Sequence, residues 1–265
     1  MKEFDKQRPV QEAVSDGVIE GRNAVIEALR AGTAIDKIYL AKGETDKTLG
    51  HIASRARDAG VVVVECDRRK LDAMSRTHAH QGVIALAALR EYVSVQSLLD
   101  GAREKGEQPL LVVCDEISDP HNLGAILRTA ECAGAHGVII PKRRGVGLTA
   151  TVAKTSAGAV EYMPVVRVAN IVSTIEELKQ KGLWIFCADM DGKPWCSADM
   201  GGPIGIVVGA EGSGVSRLTK EHCDFVVSLP MNGQVNSLNA SVAAAIVIYE
   251  AVRQRSGLPA FTSNK

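Results

Sequence analysis

Short apolar runs alternate with longer amphipathic stretches along almost the whole chain. In residues 18–30, VIEGRNAVIEALR, the residues Val25, Ile26 and Leu29 share one helical face after a Gly-Arg-Asn start. IDKIYLA (35–41) predicts a strand, and KTLGHIASRARDAG (47–60) a helix closed by glycine. VVVVEC (61–66) predicts a buried strand, 67–77 a helix, and GVIALAAL (82–89) another strand. Together these outline a small α/β/α unit over residues 17–90, behind a flexible tail at 1–16. Residues 91–108 combine a helix with a charged, glycine-containing turn and read as a linker.

From 109 to 256 the alternation restarts. Strands are predicted at LLVVCDEI (110–117), GVIIP (137–141), MPVVRV (163–168), LWIFCADM (183–190), IGIVVGAEG (204–212) and DFVVSLPM (224–231). Helices are predicted between them, the clearest being NLGAILRTAECAGA (122–135) and NIVSTIEELKQKG (170–182). Strands alternating with helices imply an α/β fold with a mostly parallel sheet covered on both faces. The stretch LPMNGQVNSLNASVAAAIVIYEAV (229–252) breaks the pattern: a loop crowded with amides and hydroxyls runs into a helix with almost no polar face. Such a helix is expected to be buried on all sides. Residues 257–265 form a second tail.

Composition narrows the class without naming a function. The chain has 265 residues, 46% hydrophobic and 23% charged, the balance of an ordinary globular protein. No apolar run approaches a membrane span, and the start, MKEFDKQRPVQEAVSDG, lacks the apolar core of a signal peptide. Cys66, Cys114, Cys132, Cys187, Cys196 and Cys223 form no CxxC pair, which argues against a metal site or a disulfide framework and for a cytoplasmic protein. Lys plus Arg equals Asp plus Glu at 31 each, so net charge neither supports nor excludes nucleic acid. The two basic runs, DRRKLDAMSR (67–76) and PKRRG (141–145), read by themselves as solvated faces.

Candidate chemistry gathers at strand ends. The turn after the 110–117 strand is SDPHNLG, so the GxGxxG of a dinucleotide-binding enzyme is missing. That strand end offers Asp119, His121 and Asn122, with Arg128 further along the helix. A second offers Gly209, Glu211, Gly212 and Gly214, and a third Asn232, Asn236, Ser237 and Asn239. Each cluster alone is explained by caps and turns. Three on one carboxyl edge, where open α/β sheets bind ligands, are a candidate site.

In order, spacing and identity these segments resemble the three signature motifs of the SpoU (TrmH-like) branch of the SPOUT RNA methyltransferases. NLGAILRTAECAGA is similar to motif one, IVVGAEGSGVS to motif two, and LPMNGQVNSLNASVAAAI to motif three. In the first half, GRNAVIEAL and HQGVIA (80–85) resemble the ribosomal-protein-like RNA-binding domain of the rRNA 2'-O-methylguanosine enzymes. The resemblance implies a catalytic SPOUT domain with a deep trefoil knot, dimeric through the knot, that binds S-adenosylmethionine near Gly209, Leu229, Met231, Ser237 and Leu238. It implies methyl transfer to a ribose 2'-OH, most closely of a guanosine in 23S rRNA. Catalytic roles fall on Asn122, Arg128, Glu211, Ser237 and Asn239. A guanidinium is not deprotonated in proteins, so Arg128 suits phosphate positioning and alkoxide stabilisation better than a base's role. His121 is the chemical candidate for a base, read here as a loop residue. Arg22, Asn23, Arg68, Arg69 and His80 are the candidate RNA contacts. No metal, membrane or DNA is expected. The alternatives are a tRNA ribose methyltransferase and a non-catalytic RNA-binding factor of the same fold.

Overall fold

The computed structural model describes residues 17–43 and 46–259; the tail expected at 1–16, and residues 260–265 of the one at 257–265, lie outside the described residues. The chain divides into two compact units. Residues up to Glu91 with Leu148–Ala150 make one, and Tyr92–Gly147 with the chain from Thr151 onward the other.

In the first unit, β1 (Val18–Glu20), α1 (Arg22–Arg30), β2 (Ile35–Ala41), α2 (Lys47–Asp58), β3 (Val62–Cys66), α3 (Arg68–Met74) and β4 (Val83–Ala87) follow in chain order. The sheet order is β1-β4-β2-β3. Only β2 and β3 run parallel; β4 is antiparallel to both β1 and β2. The strand period of two divides the core. Ile38, Leu40, Val83, Ala85 and Ala87 meet Val25 and Ala28 of α1 and Ile52 and Ala56 of α2 on one face. Ala41 and Ile84 meet Leu71 of α3 on the other. Two expectations change. Val18–Glu20 is a strand, too short to show a periodic pattern. The 61–66 run, expected to be buried, is a half-buried strand because β3 is an edge with one neighbour.

The second unit is built on six parallel strands in the order β10-β8-β9-β5-β6-β7. They are β5 (Leu110–Asp115), β6 (Gly137–Pro141), β7 (Val165–Val168), β8 (Trp184–Pro194), β9 (Ile204–Gly209) and β10 (Phe225–Ser228). The helices are α4 (Val95–Glu104), α5 (Pro120–Cys132), α6 (Ala150–Thr155), α7 (Ile171–Gln180), α8 (Arg217–His222) and α9 (Ala240–Arg255). Central β5 is buried along its whole length, as parallel strands covered on both faces must be. Leu98 and Leu99 of α4 and Ile175 and Leu178 of α7 pack on Leu111, Val113, Ile139, Ile185 and Val207. On the opposite face α9 packs along α5.

Two more expectations are corrected here. Residues 91–108 are not a tether: Val95, Leu98, Leu99 and Ala102 of α4 are buried in the second unit. Nor is α9 buried on all sides. Ala240, Ala244, Val247, Ile248 and Ala251 face inward, whereas Val242, Ile246 and Tyr249 are 46%, 36% and 47% exposed. The inward face is fixed at its far end by polar contacts. Buried Glu250 accepts from Arg253 Nη2 and Gln254 Nε2, both at 2.7 Å. Arg255 donates to the carbonyls of Gln108, Pro109 and Gly202 at 2.8, 2.9 and 2.6 Å, tying the last helical turn to the amino edge of the sheet.

Candidate active site

Each of the three loops is shaped locally before it joins the others. Asp119 caps α5 by accepting the His121 N–H at 2.9 Å, and Pro120 stands at the first helical position, where its missing N–H costs nothing. The first turn of α5 therefore leaves β5 at a fixed angle, with the Asn122 side chain buried beneath it. After β9 the chain turns back on itself so closely that a Cβ on Gly209 would lie 2.0 Å from the Gly214 carbonyl carbon. Only glycine fits there. The Gly214 N–H closes the loop on the Ala210 carbonyl at 2.9 Å. Asp115, buried at the end of β5, accepts the Ser216 N–H at 2.8 Å and fixes the loop against the central strand.

Asn239 joins these loops to the third. Its Oδ1 caps α9, accepting from Ser241 N at 2.9 Å, Ser241 Oγ at 2.6 Å and Val242 N at 3.3 Å. Its Nδ2 donates to Asn122 Oδ1 at 2.8 Å and also to Glu211 Oε1. One side chain thus links residues 117 and 28 positions away in sequence.

Beside this bridge lies a cleft. Its floor and walls include Val208, Leu229, Met231, Leu238, Ala240 and Ala243, with the backbone of Gly209–Gly214 along one rim. All five expected cofactor positions, Gly209, Leu229, Met231, Ser237 and Leu238, are among the lining residues. The charged side chains of the lining are the carboxylates of Asp189 and Glu211. Asp189, in β8 just past its last pairing with β9 at Ala188, was not singled out from sequence; a polar residue closing the apolar run WIFCAD was the available signal. Lys220 of α8 pairs with it at 3.2 Å and also with Asp191. Burial, and then neighbouring Asp115, push the Cys114 thiol up to about 12, and the Cys187 thiol is also raised, first by its hydrogen bond with Cys223 and then by burial. Neither is a thiolate nucleophile at neutral pH.

Asn122, Glu211 and Asn239 are therefore brought together, with Ser237 in the adjoining cleft. Arg128 is not in that network: it lies exposed on α5 with no hydrogen-bond or ion-pair partner among the described residues. Asn232, Gln234 and Asn236 are exposed and absent from the cleft lining. In the first unit Asn23, Arg68 and Arg69 are exposed, as an RNA contact requires. His80 is not. It is 2% exposed, its Nδ1 accepts the Gly82 N–H at 3.0 Å, and its Nε2 lies 2.9 Å from Asp72 Oδ1. Arg22 is engaged internally as well, donating to the Gln81 carbonyl at 2.9 Å and pairing with Asp46 at 2.7 Å. Both serve the packing of that unit. No cluster of His, Cys, Asp or Glu fit to hold a metal occurs among the described residues, and none of the described helices is long and apolar enough to cross a membrane.

A parallel sheet with three interlocked polar loops at its carboxyl edge is an α/β fold shared with solved SpoU methyltransferases. The sequence profile of the SpoU rRNA Methylase family matches residues 109–249, and that of RNA 2'-O ribose methyltransferase substrate binding matches 18–93. YacO of Bacillus subtilis strain 168, assigned to the TrmH family of tRNA/rRNA methyltransferases, is 46% identical over 237 residues, covering 89% of this chain and 95% of its own length. The SpoU methyltransferase AviRb from Streptomyces viridochromogenes, solved with AdoMet, shares the fold at a TM-score of 0.59 and 23% identity, over 94% of each chain. A solved RNA 2'-O ribose methyltransferase gives a TM-score of 0.54 at 27% identity, over 93% of this chain and 92% of its own. The chain belongs to the SpoU (TrmH) family of RNA 2'-O-ribose methyltransferases.

Proposed function

We propose that this protein uses S-adenosylmethionine to methylate the 2'-OH of a guanosine in 23S rRNA. The observation that carries the reading is the Asn239 bridge, which brings the three motif loops together beside an apolar, glycine-rimmed cleft. The lining suits the cofactor. Leu229, Met231 and Leu238 with the backbone at Gly209 would hold the adenosine, and the Glu211 carboxylate, which unlike Asp189 is not paired with Lys220, suits a positively charged sulfonium. When bound, the cofactor supplies an electrophilic methyl group.

The chain's own residues then have to hold the ribose and manage its proton. Asn239 commits one Glu211 oxygen to its amide and leaves the other without a partner among the described residues, free to accept a hydrogen bond from the ribose hydroxyl. Asn122 accepts from the same amide and so orients the Asn239 nitrogen that holds that carboxylate. Arg128, permanently charged, positions a phosphate and stabilises charge developing on the 2'-oxygen. Support for rRNA comes from the match of residues 109–249 to the SpoU rRNA Methylase family and from the resemblance of the first half to the rRNA guanosine enzymes. The exposed stripe Val242, Ile246 and Tyr249 supports a homodimer through α9. The family reading also brings a trefoil knot around the 229–239 segment, and a cytoplasmic setting agrees with free Cys66, Cys114, Cys132, Cys187, Cys196 and Cys223.

The test supplies purified protein and methyl-labelled cofactor with unmodified 23S rRNA and tRNA transcripts, then maps the modified ribose. Label at one guanosine of the 23S transcript is expected. Label confined to tRNA would overturn the rRNA assignment, and binding of both RNA and cofactor without transfer would leave an RNA-binding factor of this fold.

A further inference from the structure

The basic run PKRRG (141–145) has no part in the chemistry above. It forms the turn leaving β6, on the same carboxyl edge as the β5–α5 turn that carries Asn122, and β5 and β6 are neighbours. Glu116 and Arg144, one in each turn, have left-handed backbones with φ of 58° and 60°. That conformation is unfavourable for residues with a Cβ and persists where the surroundings enforce it. Here the surroundings are explicit. Arg144 Nη1 donates to Glu116 Oε1 at 3.0 Å, and the Val146 N–H donates to the Ile117 carbonyl at 3.0 Å. Lys142 N–H donates to the Val168 carbonyl at 2.7 Å, and a Cβ on Gly145 would lie 2.9 Å from Pro141 Cγ. The turn is clasped from both sides, yet an ion pair whose side chains are 80% and 38% exposed contributes little stability by itself.

What the clasp presents is positive charge. Arg143 is exposed, and neither it nor Lys142 has a side-chain partner among the described residues. Beyond the β5–α5 turn, Thr155 Oγ1 donates to the Pro120 carbonyl at 3.2 Å, which places the neighbouring, unpaired Lys154 beside the start of α5. Arg128 follows one turn after Gly124, the residue that Thr155 packs against, and so on the same helical face. Unpaired cations thus flank the turn bearing Asn122 on both sides, while the acidic residues of that turn, Glu116 and Asp119, are committed to Arg144 and to the helix cap.

We propose that the 142–146 turn is a clamp for the backbone of the substrate RNA, with Arg143 and Lys142 on phosphates beside the target ribose and the Glu116–Arg144 pair holding the turn in place. This rests on the reading of the chain as an RNA-modifying enzyme. Filter retention of the 23S transcript by the full chain, across about 50–200 mM salt, tests it alongside cofactor titration by calorimetry and a thermal melt. Arg143→Ala is expected to weaken RNA binding about tenfold and to flatten the slope of log affinity against log salt by about 0.7–0.9, one phosphate contact. Cofactor affinity and melting should stay as in the wild type. Glu116→Gln separates positioning from bulk charge. Losing a negative charge would tighten RNA binding if the field alone mattered, whereas release of a positioned turn weakens it. Full affinity and an unchanged salt slope in Arg143→Ala, with the wild type methylating normally, overturn the clamp alone. A wild type that binds the transcript but transfers no methyl, with Arg143→Ala weakened, overturns the enzymatic reading and leaves the clamp standing.

Discussion

Asn239 sits at the entrance of α9 with its oxygen turned toward the helix and its nitrogen toward two other loops. The two ends of one amide therefore do separable work, and a substitution can remove one without the other. Serine caps helices about as well as asparagine but has no second arm to reach Asn122 and Glu211. Asn239→Ser is expected to melt within a degree or two of the wild type while losing about 100-fold in single-turnover methyl transfer, the scale of removing one pre-organised polar group. A variant that loses rate and melting temperature together would show the bridge to be structural. The same residue shows why the site was only partly legible. Motif resemblance picked out Asn122, Glu211 and Asn239, but no local pattern reveals that one amide joins all three. Nor could it reveal that His80, a polar residue in a polar stretch, is closed over by Asp72 and the Gly82 N–H.

At the scale of elements, the buried parallel strands were read most reliably because a strand covered on both faces is a plain apolar run. The edge strand β3 is also mostly apolar, yet none of its residues is fully buried, a difference that depends on neighbours as well as on its own residues. Helix α9 misled for a related reason. Its alanines and β-branched residues look alike on every face, so only the fold distinguishes the inward Ala244 and Val247 from the outward Val242 and Ile246. The charge it does carry is informative. Hydrogen bonds from Arg253 outweigh burial and, helped by Gln254, hold the Glu250 carboxyl below its ordinary 4.5. A carboxyl with a depressed folded pKa contributes stability that is complete above the unfolded value and is lost as pH falls through the folded one. Glu250→Gln is therefore expected to cost about 2 kcal/mol at neutral pH and to flatten the decline in melting temperature below pH 4.5. Melting curves of wild type and variant that stay parallel across that range would remove Glu250 from the account.

For the whole molecule, the outward stripe of α9 sets the expectation for assembly. Val242, Ile246 and Tyr249 recur at helical spacing on a face that the described residues leave open. Sedimentation of the wild type at micromolar concentration should give a dimer, and Ile246→Asp a folded monomer. A wild type that sediments as a monomer would detach this stripe from assembly.

Asn239 and α9 also come after every strand of the sheet in chain order, and Arg255 anchors that helix to carbonyls at the sheet's opposite edge. A chain emerging during translation can thus assemble its sheet while two of the three loops still lack their common partner. Until α9 docks, the folding polypeptide has a scaffold without a working centre, so the appearance of activity is tied to the docking of this one helix and not to formation of the sheet.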